Sequence, residues 1–442
     1  MICMASVVSA WSPSSWRTIG VPYQIPEYAD KGSFDNVLQT LEKKTPLVFA
    51  GECRLLEKNI GEAICGRGFV LTGGDCAETF DGFSVNRTRD DFMLLMGMAA
   101  IISHGGGVSV ASIGRTAGQF AKPRTELWET PSRRAYQGDM INGIVDRSPD
   151  PVRMVDAYHQ SAQTLNLLRA FRQGGFDEIP TLLRNFYRLS TRMEDRIRSR
   201  FDEHVASINK TMRFIESTTR QSPSLGRHYT GHECLLLPYE EAMTRRDSTD
   251  SGGSWFDTSA HFLWLGERTR RLNASHVEFL RGIHNPIGIK VSASTDVEEL
   301  RQIVDILNPS RRIGRLSIIS RMGPNALPVR LPPIIRALQD HPVLWCCDPM
   351  HANTMTTEEG IKTRDVRTIH REIIAFFRTT RRCGVRPGGV HLEMTSDDVV
   401  ECVGQNDDHI TNDTYKSLCD PRLNVAQAME TAMLISDLLS SM

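Results

Sequence analysis

An α/β fold whose parallel strands close into a barrel is what this sequence predicts, and three observations carry the prediction. From residue 66 onward, a short β-branched apolar run repeatedly ends in Gly, Asp, His, Glu, Lys or Arg and is followed by a helical stretch. Eight such runs occur: Gly68 to Gly74, Gly107 to Arg115, Cys234 to Glu240, His261 to Glu267, Ile287 to Ser292, Arg315 to Arg321, Pro342 to His351 and Val390 to Thr395. None alternates strictly between apolar and polar residues, as expected of parallel strands covered on both faces. A (β/α)8 barrel brings all eight C-terminal strand ends to one mouth. An open doubly wound sheet, the competing architecture, has no reason to use all eight.

The remaining elements follow in order. Residues 1–65 form an N-terminal extension with a helix over Phe34 to Lys44, expected to pack outside the barrel or at a subunit contact. Residues 66–442 form the catalytic barrel. Within it, the segment after the second strand, about 151–230, holds helical patterns at Val152 to Phe171, Ile179 to Leu189 and Met193 to Glu216. One barrel connection needs a single helix, so the surplus is a helical insertion suited to an interface or to regulation. Later helices are expected at Val297 to Leu307, Pro332 to Gln339, Ile369 to Arg382 and Val425 to Leu439, where apolar residues recur at helical spacing.

Composition excludes several classes. Lys and Arg total 52 against 53 Asp and Glu, a net charge of -1, so no global field attracts nucleic acid or an anionic membrane. No apolar run approaches the roughly 18 residues that span a bilayer, and Met1 to Arg17 lacks the layout of a secretory signal. A cytoplasmic protein is expected, with a plastid address the alternative raised by the Ser-rich, acid-poor start. The 10 cysteines have neither disulfide-framework spacing nor a CxxC pair. Cys76 and Cys419 stand apart in polar turns, where a thiolate is useful.

The strand ends carry the chemistry. Cys76 follows the first run, His351 ends the seventh, Glu393 lies in the eighth and Asp420 in the loop beyond. A thiolate, an imidazole and two carboxylates suit a divalent transition ion better than calcium or magnesium. Singly, each is more often a packing or hydrogen-bonding residue, and Cys402 and Asp397 are neighbouring alternatives. The same mouth gathers Arg115, Lys122, Arg124, Arg268, Lys290, Arg321 and Lys362, enough fixed charge for two anionic substrates. Arg270, Arg271 and Arg301 are assigned instead to ordinary surface ion pairs. Lys290, flanked by Ile289 and Val291, should point into the barrel, while Glu233 and Glu267 are candidates for binding hydroxyls or orienting water.

Six stretches together resemble the type II 3-deoxy-D-arabino-heptulosonate 7-phosphate (DAHP) synthases. They are Gly73-Gly74-Asp75-Cys76-Ala77-Glu78, Gly118 to Arg124, Gly266 to Arg270, Asp348 to His351, His391 to Thr395 and Cys419 to Asn424. The likeness runs from about Trp16 to the C-terminus. It implies a metal-dependent transferase that condenses phosphoenolpyruvate with D-erythrose 4-phosphate and water to DAHP and phosphate, opening the shikimate route to chorismate and the aromatic amino acids. It implies Cys76, His351, Glu393 and Asp420 as metal ligands, with manganese or cobalt favoured over zinc, iron or cadmium. Phosphoenolpyruvate would lie among Arg115, Lys122, Glu267, Arg268, Lys290 and Arg321, and erythrose 4-phosphate against Arg124 and Lys362. It further implies a homodimer or homotetramer and an aromatic effector. Oxidation of metal-free protein is expected to couple Cys76 to Cys419. Ser292-Ala293 replaces the usual Gly-Pro, Gln137 an Arg and Thr72 a Gln. These departures leave open an amino-sugar or phenazine-pathway relative, and a catalytically lapsed regulatory or scaffolding barrel is the third reading.

Overall fold

The computed structural model describes residues 10–130, 133–190, 193, 195–219, 225–249, 251–404, 410–411 and 413–442. Residues 1–9, part of the stretch weighed as a plastid address, lie outside them.

Eight parallel strands close a barrel: β1 Gly68–Gly74, β2 Ser109–Arg115, β3 His228–Glu233, β4 Phe262–Leu265, β5 Ile287–Ser292, β6 Leu316–Arg321, β7 Val343–Cys347 and β8 Gly389–Glu393. Each pairs with its neighbours in sequence, and β8 closes on β1 through Thr72 opposite His391 and Gly74 opposite Glu393. The expected barrel is therefore present.

One strand lies elsewhere than predicted. Cys234 to Glu240 is not the third strand; it enters a helix at Leu237–Met243, and the strand is the preceding His-Tyr-Thr-Gly-His-Glu. Leu235, Leu236 and Leu237 are apolar because they are enclosed on every side, and Pro238 has no N–H for a strand ladder but fits a first helical turn. The true strand looks polar because its histidines pack within the protein.

Side-chain alternation sorts each strand into two faces. Phe69, Leu71, Leu263, Leu265, Ile287, Ile289, Leu316, Ile318, Val390 and Leu392 join the surrounding helices in one apolar cluster. Val70, Ala111, Ile113, Tyr229, Phe262, Trp264, Ile319, Leu344 and Cys346 form another inside the barrel.

The helices are α1 Lys31–Glu42, α2 Ala50–Ile64, α3 Val85–Gly106, α4 Arg153–Gln173, α5 Ile179–Ser190, α6 Asp195–Thr219, α7 Leu237–Met243, α8 Ser275–Gly282, α9 Val297–Leu307, α10 Leu327–Ala337, α11 Val366–Arg382 and α12 Val425–Ser440. Side-chain caps from Asp30, Ser84, Asp296, Asp365 and Asn424 satisfy first-turn amides, which sets where these helices begin. α10 starts before the Pro332 predicted to open it, since Pro332 and Pro333 both lie inside the helix. Helices α4, α5 and α6 occupy the β2–β3 connection, where the helical surplus was expected.

The N-terminal extension does more than lie outside the barrel. Leu56, Ile60 and Ala63 of α2 join the inward-facing cluster and close its floor. The opposite end, where the strands terminate, is left as the mouth.

Candidate metal centre and anion pocket

Strand parity explains why distant residues meet. Gly74, Arg115, Lys290, His391 and Glu393 share the inward face with the core residues below them, one layer nearer the mouth. Gly74 lets the neighbouring strand at Arg115 approach closely: its φ is +144°, and a Cβ there would stand 3.0 Å from the Arg115 carbonyl oxygen. Arg115 Nη2 reaches Glu393 Oε1 at 3.1 Å, Nη1 bonds His391 Nε2, and the guanidinium lies 5.2 Å from the Trp264 ring centroid.

The donor atoms of Cys76, Glu393 and Asp420 fall within 4.8 Å of one another. His351, the fourth expected ligand, falls outside that mutually close set and touches it through Glu393, its Nε2 3.1 Å from Oε1. Its other ring nitrogen, Nδ1, meets buried Asp348 Oδ2 at 2.7 Å, and Asp348 also pairs with Lys290. A carboxylate behind one imidazole nitrogen is the arrangement that orients metal-ligating histidines. Thiol, imidazole and carboxylate donors thus converge in a form that fits a divalent ion. Cys402 and Asp397, weighed as alternatives, lie outside this cluster, and Asp397 instead faces Arg87 at 3.3 Å.

The electrostatics of the cluster are those of a concentrated anion. Burial pushes the Glu393 carboxyl upward, but His351, Lys122 and Arg364 overcome this and hold it well below its ordinary range. Asp420 is likewise lowered: burial pushes it up, but Lys122, His351 and Arg364 together outweigh burial. Burial raises the Cys76 thiol, whereas a hydrogen bond from Cys76 brings Cys419 down to about 7. Lys122 does not face the anion pocket alone: its ammonium stands 2.7 Å from Cys76 Sγ, 3.2 Å from Asp420 Oδ2 and 3.5 Å from Glu393 Oε1. Burial opposes its charge, but Cys76, Glu393 and Asp420 together more than offset that and hold the ammonium well above its ordinary range.

Beside the cluster opens a cavity of ≈ 400 Å³. Arg115, Lys122, Arg124, Arg268, Lys290, Arg321 and Lys362, every cation assigned from the sequence to a substrate, line it together with Glu233, Glu267, His351 and Asp420. Several have little protein competition for an anion. Among the described residues, Arg268 contacts only the Thr125 hydroxyl among side chains, at 2.7 Å, and Arg321 Nε is buried without a hydrogen-bond partner. Arg124 bonds the Tyr136 carbonyl at 2.6 Å, and Lys362 lies 3.5 Å from Asp420.

A profile of the class-II DAHP synthetase family matches residues 11–436. A phospho-2-dehydro-3-deoxyheptonate aldolase of Streptomyces coelicolor is 38% identical, with 97% of this chain and 98% of that one covered. One from Neurospora crassa is 36% identical over 97% and 94%, and one from Mycolicibacterium smegmatis 36% over 90% and 89%. The chain belongs to the class-II DAHP synthetase family. DAHP synthases are metal-dependent in general, and the Cys76, Glu393 and Asp420 cluster is a candidate metal site in this member.

Several residues that build this DAHP synthase site escape sequence reasoning. Arg364 is fully buried and stands 2.8 Å from Glu393 Oε2, although Lys-Thr-Arg in a charged stretch resembles solvated surface. Arg422, in the motif after Asp420, pairs with Asp75 at 2.5 Å and with Glu401, tying the Cys76 loop to the Asp420 loop. Glu78 accepts backbone amides from Ala117, Gly118 and Gln119 at 2.8–2.9 Å and so fixes the loop leading to Lys122. Arg270 is no surface ion pair: it is buried, bonding Glu267 Oε1 at 2.9 Å and the Lys290 carbonyl. Arg301 does pair on the surface with Glu298 and Asp305, as expected, while Arg271 stacks near Tyr23. Ser292, in place of the usual glycine, bonds Glu267 Oε1 at 2.8 Å.

Proposed function

We propose that this chain is a divalent-metal-dependent 3-deoxy-7-phosphoheptulonate synthase, joining phosphoenolpyruvate to D-erythrose 4-phosphate with water and releasing inorganic phosphate. The observation that carries the reading is the meeting, at one barrel mouth, of a mixed donor cluster with a cavity lined by seven cations. Cys76, His351, Glu393 and Asp420 would hold the ion. The likeness to the family favours manganese or cobalt, and the thiolate keeps zinc, iron and cadmium as alternatives. When bound, the ion polarises the aldehyde carbonyl.

The chain's own residues do the rest. Arg115, Lys122, Arg268, Lys290 and Arg321 hold the phosphate and carboxylate of phosphoenolpyruvate, and Arg124 with Lys362 holds the second phosphate. Two anions that would repel in water are thereby fixed in contact, and most of the rate gain lies in that positioning. The methylene carbon of phosphoenolpyruvate bonds to the aldehyde carbon as the C=C and C=O π bonds open, and the aldehyde oxygen takes up a proton to become a hydroxyl. Water then adds at the carbon bearing phosphate, and the carbon–oxygen bond to phosphate breaks. Glu267 receives the proton of that water in this reading, which is supported by its contacts: Arg270 and Ser292 occupy Oε1, while among the described residues Oε2 has no hydrogen-bond partner.

The same reading carries a cytoplasmic homodimer or homotetramer inhibited by an aromatic product, with α4 to α6 as the contact region. No described helix is long and apolar enough to cross a membrane. Phosphate release from purified protein, given manganese and both substrates, is the test. Release with erythrose 4-phosphate supports the reading. Release only with its imino analogue would favour an amino-sugar relative, and none with either would favour a lapsed barrel.

A further inference from the structure

The carboxylate of Glu372 belongs to neither the donor cluster nor the anion pocket, yet it touches the loops that deliver one residue to each. It projects inward from α11 and is fully buried. Oε1 accepts the backbone amides of Met322 at 3.0 Å and Gly323 at 2.9 Å, the two residues after Arg321. Oε2 accepts Asn353 Nδ2 at 2.6 Å, two residues after His351. Asn353 Nδ2 also donates to the Pro349 carbonyl at 2.7 Å, so it spans the turn from which His351 projects.

The two loops are joined independently on their cavity side, where Arg321 Nη2 donates to the His351 carbonyl at 2.6 Å. One carboxylate therefore backs both loops from the helix layer, while an arginine links them at the front. The three partners of Glu372 among the described residues are all N–H donors, a set that favours its carboxylate form, while burial pushes the carboxyl up to about 7. Gly323 takes φ +76°, a conformation other residues avoid, and this turn is what aims both its own and the Met322 amide at one oxygen.

We infer that Glu372 is a positioning residue for the proposed reaction, setting Arg321 in the anion pocket and His351 at the metal centre as one unit. This rests on the functional reading above and adds to it a coupling between phosphoenolpyruvate and metal binding through the loops after β6 and β7. Outer partners of metal ligands change metal affinity by about 10- to 100-fold when removed.

The test compares Glu372→Ala, Glu372→Gln and Asn353→Ala with the wild type. Manganese affinity is measured by calorimetry, and kcat and KM for phosphoenolpyruvate are measured at saturating manganese. Glu372→Ala is expected to weaken manganese binding about 10-fold or more and to raise KM. Glu372→Gln keeps an oxygen for the Met322 and Gly323 amides, so its KM should lie nearer wild type. Asn353→Ala cuts only the His351 arm and should weaken manganese binding with the smaller effect on KM. It keeps both backbone amides on Glu372 Oε1, so it decides the matter should Glu372→Ala fail to fold. Wild-type manganese affinity and KM in Asn353→Ala and in every folded Glu372 variant would overturn the inference. A wild-type protein that neither binds manganese nor releases phosphate would instead overturn the functional reading.

Discussion

The floor and the mouth of the barrel are built from the same strands and the same inward-facing positions, yet they are chemical opposites. At the floor, Val70, Ala111, Phe262 and Leu344 meet Leu56 and Ile60 of α2 in a closed apolar layer. At the mouth, the next inward positions are the charged Arg115, Lys290 and Glu393 and the imidazole of His391, buried polar groups that no core needs. Buried charge is costly unless each ion is paired, and here the pairing is dense: Glu393 alone faces Arg115, Lys122, His351 and Arg364. The floor stabilises the barrel, and that stability tolerates an ionised mouth reserved for chemistry.

Substitutions that separate the two ends sharpen this contrast. The largest effect on turnover is expected at the mouth: His351→Ala should lower kcat by about 10²- to 10³-fold, with an unchanged circular dichroism spectrum. A melting temperature that collapses along with activity would merge the two roles. At the floor, Ile60→Ala should cost about 2–5 kcal/mol in denaturant unfolding while leaving kcat of the folded enzyme unaltered. A loss of kcat without loss of stability would break the comparison from the other side.

A buried acid pair behind the active-site loops gives a pH-dependent effect. Burial pushes Glu240 up to about 7, against opposing hydrogen bonds from Asp257 and Ser259, and the carboxyl contacts His232 Nε2 at 2.9 Å. Its ordinary value is 4.5, so between there and about 7 the unfolded chain has released a proton that the folded one keeps. Stability from this group is complete below 4.5 and falls as pH rises through 7. Glu240→Gln should flatten that decline in unfolding titrations run from pH 5 to 8. A decline equally steep in the variant would assign it elsewhere.

Smaller effects are expected at residues particular to this chain. Ser292→Ala removes one hydrogen bond to Glu267 and should change kcat/KM for phosphoenolpyruvate by about 2- to 10-fold, read from initial rates. No change would make the departure from Gly-Pro inconsequential. Cys419→Ser should leave turnover nearly untouched. In metal-free wild type, peroxide would take two electrons and two protons from Cys76 and Cys419, forming a disulfide and two waters; peptide mapping should find that link, and find it absent in the variant. Both thiols free in oxidised wild type would remove the pair from consideration.

The contrast also explains what could be inferred from sequence. Strand ends were legible because a run such as Ile289-Lys290-Val291 places a charge where only a barrel interior can use it. The third strand was not, because Leu235 to Leu237 is apolar through enclosure in a loop and helix start, while His228 to Glu233 hides histidines inside. Motif residues at the site were legible as types, as with Cys76 and His351. Arg364 and Glu372 were not, since an arginine in a charged stretch and a glutamate on a helix look solvated until tertiary packing shows them buried. Arg422 with Asp75 is likewise a pair made only by folding, across the length of the chain.

Anomalous scattering from crystals grown with manganese tests the central claim most directly. The account predicts one strong peak bounded by Cys76 Sγ, His351 Nε2 and carboxylate oxygens of Glu393 and Asp420, removable with a chelator. A well-diffracting crystal with no peak there, or with its ion held by other residues, would contradict it.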